Sequence, residues 1–158
     1  MTTTQKSQPA GLIRLTGSLI YDWLVLLGML MLFGFVAVAI NKFLTGADAI
    51  APGNPLFILW NVLIIYFYFA GFWVTKSQTV GMRAWRIYLV STNNRPLGWM
   101  HATLRLISAI PAWGLAGMGV FWRYTNNDRL GWQDQASWTQ VLYQPKTPRD
   151  QPKTPRAQ

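Results

Sequence analysis

Residues Trp23–Ile40 read WLVLLGMLMLFGFVAVAI, a run without a single charge, and the residue just before it is Asp22. A helix rises about 1.5 Å per residue and a hydrocarbon core is roughly 30 Å thick, so ~18 to 20 apolar residues suffice to cross. Two more such runs follow: Leu56–Val74, dense in aromatics (Trp60, Tyr66, Phe67, Tyr68, Phe69, Phe72, Trp73), and Leu106–Trp122. A chain of 158 residues cannot hide all three in a soluble core. The expectation is an all-α integral membrane protein with apolar segments at about 19–40, 56–75 and 103–122. The first two are transmembrane helices. The third holds Pro111, Gly114, Gly117 and Gly119, so it is a Pro/Gly-broken segment, either re-entrant or spanning. The first run is longer than the ~7 to 15 residues of a secretory signal core, and Asp22 and Trp23 open it, which predicts a retained helix.

Composition narrows the function classes. Hydrophobic residues make up 51% and charged residues 12%, with fourteen Lys plus Arg against five Asp and a net charge of +9. The basic residues flank apolar spans, which points to anionic lipid and topology signalling and away from nucleic acid. There is no cysteine, and His101 is the single histidine. No transition-metal site and no cofactor are expected.

The polar residues organise the rest of the chain. Residues 1–10 read as a flexible N-terminus, 11–143 as one membrane domain, and 144–158 as a disordered basic Pro-rich tail in which QPKTPR occurs twice. The loop at 41–55 carries only Lys42 as a cation, whereas Lys6 and Arg14, the stretch 76–105, and the C-terminal region are rich in Lys and Arg. The positive-inside rule therefore sets the N-terminus in the cytoplasm, with the 41–55 loop outside. Arg86–Thr92 and Ser137–Tyr143 are β-prone, and they form a small cytoplasmic patch if they pair. Pairing requires both on one side, which favours the re-entrant form of the third run.

Several pieces together resemble a known family. They are Pro9-Ala-Gly-Leu-Ile-Arg14 through Tyr21-Asp22, then Gln78-Thr-Val-Gly-Met-Arg-Ala-Trp-Arg86 with Ile87–Val90, Arg105, and Trp132-Gln-Asp134 with Thr139. In order and spacing they resemble the RDD family of bacterial membrane proteins, named for one Arg and two Asp. The resemblance covers about Pro9 to Tyr143 and makes Arg14, Asp22 and Asp134 the eponymous positions. Two departures stand out: Leu15 where relatives commonly carry a second basic residue, and Gln133 where they commonly carry His. If that His shuttles protons in relatives, this chain lacks the shuttle. The family implies ion transport for a few members and no function for most.

Asp22 lies about two turns beyond Arg14, so both can border one face of the first helix. A carboxylate in lipid costs several kcal/mol unless paired, hydrated or protonated. Arg14, Asp22, Arg105 and Asp134 are therefore read either as an ion or proton site or as a structural ion pair docking the first helix on the basic segment. Arg83 and Arg86 flank Trp85 and suit lipid head groups. Asn126–Arg129, with Asp128, reads as a solvated turn. No nucleophile–base pair or phosphate-binding loop is present, so the chain is not expected to be an enzyme. Two functions remain: an oligomeric transporter of monovalent cations or protons centred on Asp22, or a non-catalytic anchor or assembly module binding a membrane partner or anionic lipid through its basic face.

Overall fold

The computed structural model describes residues 8–93, 96–115, 118–125 and 130–145. Lys6, Arg95, Gly117, the Asn126–Arg129 turn and the repeated basic tail lie outside the described residues.

A single helix, α1 (Leu12–Thr45), contains the whole first run. It starts at Gly11 in extended backbone and stops where Gly46 takes φ 76°, donating its N–H to the Lys42 carbonyl, a left-handed cap that suits glycine. Its 34 residues span about 51 Å, well beyond a ~30 Å hydrocarbon core. The second helix, α2 (Pro55–Lys76), opens with Pro55 in its first turn and the Asn54 side chain accepting from the N–H groups of Leu56 and Phe57. Both helices are long and apolar enough to cross a membrane, and most of their surface is uncovered, with Phe35 75% and Phe43 89% exposed. A core helix of a soluble protein would be covered; these faces need lipid.

The third run departs from expectation. Helix α4 (Trp99–Gly114) begins ahead of the run and passes through Pro111, so the proline is not where the helix breaks. The end comes at Leu115, whose N–H donates to the Pro111 carbonyl. The chain then turns back through α5 (Met118–Phe121) and a 3₁₀ turn (Trp122–Tyr124). A Cβ on Gly119 would lie 2.6 Å from the Ala112 Cβ, which only a reversal permits. At 16 residues α4 is about 24 Å long, short of a full crossing.

The β-prone segments do pair. Strand β2 (Ile87–Ser91) and β3 (Thr139–Tyr143) are antiparallel, with Leu89 opposite Val141. They start one and two residues later than the β-prone segments, because Arg86 (φ 55°) and Trp138 (φ 48°) take left-handed backbone. The all-α expectation thus carries an unforeseen third strand. Gln8–Pro9 forms β1 on the other edge of β3, and Ala10, whose N–H donates to the Val141 carbonyl, is buried. The flexible N-terminus assigned to 1–10 is corrected at its end: residues 8–10 are held by the sheet.

A repetition emerges that residue identities conceal. The short helix α3 (Val80–Ala84) leads through a left-handed residue into β2, and α6 (Trp132–Ala136) leads through another into β3. The same interval separates Val80 from Trp132, Arg86 from Trp138 and Ile87 from Thr139. Antiparallel pairing centred on Leu89 and Val141 relates the two units by a local two-fold. Each is preceded by a helical hairpin, α1–α2 or α4–α5, and packs on its hairpin's first helix. The second hairpin is the shorter version of the first.

Candidate functional site

The four charged residues do not form one cluster. They separate into three contacts around the sheet end of the helices.

Asp22 is 3% exposed. Its Oδ1 accepts from the Tyr68 hydroxyl of α2 at 2.7 Å and from the Gly81 N–H of α3 at 2.8 Å, and its Oδ2 accepts from the Thr79 hydroxyl at 2.5 Å. Thr79 also caps α3 by accepting from the Met82 N–H. All three donors are neutral, and no described Lys or Arg forms an ion pair with Asp22. Hydrogen bonds to a charged group are worth about 1.5–3 kcal/mol each, so the set holds α1 firmly to α2 and α3. Helix α1 is held here by hydroxyls and a backbone amide, not by an ion pair, with Thr79 and Gly81 at the N-terminal end of α3 facing Asp22. The approach needs glycine on both sides. A Cβ on Gly81 would strike the Ser18 carbonyl, and one on Gly17 would enter the Trp85 ring.

Asp134 pairs with Arg105. Nη1 of Arg105 lies 2.7 Å from Asp134 Oδ1 and donates equally closely to the Thr139 hydroxyl. The second Asp134 oxygen accepts from the Gly131 N–H at the start of α6. Thr139 in turn contacts Ser137, which donates to the Gln133 carbonyl. With Arg105 7% and Asp134 2% exposed, this is a buried ion pair in a closed network that fixes α6 and β3 on α4.

Arg14 stands apart from Asp22. Its guanidinium stacks 3.4 Å over the Tyr143 ring, a cation–π contact tying α1 to β3. Trp85 packs its indole on Gly17 and is half-buried, whereas the neighbouring Arg83 and Arg86 are exposed. His101 accepts from the Gly98 N–H at the start of α4. Among the described residues no three His, Cys, Asp or Glu side chains gather as metal ligands do.

Between these contacts lies a cavity of about 390 Å³. Asp22, Ser18 and Thr79 stand on its α1–α3 side and Arg105 and Gln133 on its α4–α6 side, so it sits at the junction of the two repeated units. Two buried polar atoms of lining residues, Trp73 Nε1 and Gln133 Oε1, have no hydrogen-bond partner among the described residues. Such orphans each cost about 1–3 kcal/mol. Tyr68, Trp73 and Tyr143 were not picked out as site residues, since aromatics are everywhere in this chain. Thr79 and Gly81 belong to the Gln78–Arg86 motif, where Thr79 caps α3 on the Met82 N–H.

No curated protein and no solved structure matches the chain. A protein-family model described as the RDD family matches residues 9–137, an interval that holds Arg14, Asp22, Arg105 and Asp134. That match spans most of the sequence and agrees with two apolar helices uncovered for lipid: the chain belongs to the RDD family, and its helices mark it as a membrane protein.

Proposed function

We propose that this is a multi-pass bacterial inner membrane protein, cytoplasmic at its N-terminus, that oligomerises and moves a monovalent cation or proton bound at Asp22. One observation carries the reading: Asp22 is buried, lines the cavity, and has no ion-pair partner among the described residues. A carboxylate charge left uncompensated in a medium of low dielectric attracts a cation or a proton strongly. Asp134 is different, because Arg105 already neutralises it. Oligomerisation follows from size, since two full-length helices and a short hairpin do not enclose a path.

The orientation is part of the proposal. Arg83 and Arg86 are exposed beside the sheet, while the opposite loop holds the exposed Lys42–Asp48 pair, so the positive-inside rule puts the sheet in the cytoplasm. Pairing of β2 with β3 returns the chain to the sheet after α4 and α5, which supports a re-entrant third segment. In this otherwise cysteine-free chain, cysteine at Gly46 is expected to react with an impermeant maleimide on whole cells and cysteine at Ser77 to be protected. The reverse pattern would overturn the topology.

A second reading has its own support. Both oxygens of Asp22 are held by α2 and α3, as in a clamp for an anchor or assembly module that binds a membrane partner or anionic lipid through Arg83 and Arg86. Neither reading involves catalysis. Reconstitution in liposomes with a pH dye under Na⁺, K⁺ and Li⁺ gradients separates them. Transport predicts flux in the wild type, with Asp22→Asn still inserted and its flux lost. Absence of flux in the wild type, with Asp22→Asn failing to accumulate, would leave only the clamp.

A further inference from the structure

Accepting Asp22 as the ion-binding carboxylate, we infer that the cavity at the junction of the two units takes a lipophilic organic cation. Three properties of the space point there. Its volume, about 390 Å³, lies among small-molecule sites of ~300–1,000 Å³ and far exceeds what a bare alkali ion fills. Its walls are mostly apolar and include the aromatic rings of Trp23 and Phe69, whose faces attract cations most when water is excluded, and that of Trp73, which already faces the Arg105 guanidinium at 5.6 Å. Its lining carries one carboxylate, Asp22, which has no ion-pair partner among the described residues, and one guanidinium, Arg105, which Asp134 behind the wall neutralises.

Ligation decides between a hard and a soft cation. An alkali ion gives up water only for several oxygen ligands, the way hard cations generally bind. Here Oδ1 of Asp22 already accepts twice and Oδ2 once, and the cavity offers few other oxygens. An organic cation spreads its charge over apolar surface and holds water weakly. It needs Coulomb attraction and aromatic contact, both of which the space supplies. Gln133 Oε1, buried and without a partner among the described residues, adds a second electronegative atom on the side opposite Asp22. Two lining residues, Trp23 and Ile110, are 55% and 73% exposed. The cavity therefore borders the lipid-facing surface, the phase in which such a solute concentrates.

The test uses the full chain in detergent, titrated calorimetrically with tetraphenylphosphonium and with triphenylphosphine oxide, a neutral aromatic probe. The phosphonium is expected to bind saturably, one per chain, at least tenfold more tightly than the oxide. Asp22→Asn should bring the two probes together. Because Asp22 also clamps α1, Phe69→Leu serves as the second variant and should weaken phosphonium binding severalfold. Equal affinity for both probes in the wild type, or no saturable phosphonium binding, overturns the inference. Liposome flux keeps the parent reading separate. Alkali-driven flux with no phosphonium binding leaves transport standing and removes this inference. Phosphonium binding without flux driven by any cation supports the site and removes transport.

Discussion

Arg105→Gln is expected to destabilise the protein by about 3–5 kcal/mol, the usual cost of leaving one member of a buried ion pair without the other. Asp134 would remain 2% exposed with a charge balanced only by the Gly131 N–H, and Thr139 would lose the donor that anchors its hydroxyl. The effect should appear as a large drop in the temperature at which the purified protein leaves the monodisperse peak on fluorescence-detected size exclusion. Asp134→Asn should behave similarly, because it leaves the guanidinium buried and uncompensated. In the double variant neither charge remains, so the loss should be smaller than the two single losses together. If Arg105→Gln melts with the wild type, the pair does not hold α6 and β3 on α4, and the network contributes little.

Gly81→Ala is expected to abolish most of the folded protein, although it adds one methyl group. The new Cβ would fall on the Ser18 carbonyl, part of the α1 backbone, and within 2.8 Å of the Asp22 carboxyl carbon. A helix carbonyl cannot swing aside as a side-chain tip can. Either α3 backs away, and Asp22 loses the Gly81 N–H and the Thr79 hydroxyl, or α1 bends. Overpacking alone costs about 1–3 kcal/mol, and the separated hydrogen bonds add to it. Gly28 and Gly71 are the controls: a Cβ at either meets nothing within 4 Å, and alanine favours a helix over glycine. Gly28→Ala and Gly71→Ala should therefore accumulate at wild-type level on membrane-fraction blots while Gly81→Ala does not. Equal abundance of all three would mean the α1–α3 contact is looser than its geometry.

Hydropathy made α1 and α2 legible because it is a local property: every residue from Trp23 to Ile40 reports the same solvent. Gly46 and Asn54 marked their ends by cap chemistry that operates within one turn. The β-prone residues of 86–92 and 137–143 showed themselves by composition, and the RDD motifs named Arg14, Asp22, Arg105 and Asp134. The sequence could not say which charge meets which. Arg14 and Asp22 share a helix and suggested a pair by spacing, yet Arg14 turns to Tyr143 and Asp22 to Tyr68, Thr79 and Gly81. Those partners come from elements far along the chain, and the β2–β3 register together with the glycine-mediated approach of α3 to α1 sets their positions. The repeated helix–turn–strand unit is hidden for a related reason: a fold needs the same backbone angles at Arg86 and Trp138, not the same side chains. By itself, then, the sequence determined where the chain meets lipid and which polar residues stand near it, since burial in a bilayer is decided residue by residue. Only the tertiary structure decided that Asp134 is neutralised by Arg105 while Asp22 has no ion-pair partner among the described residues, because an ion pair depends on distances between elements that no local pattern encodes.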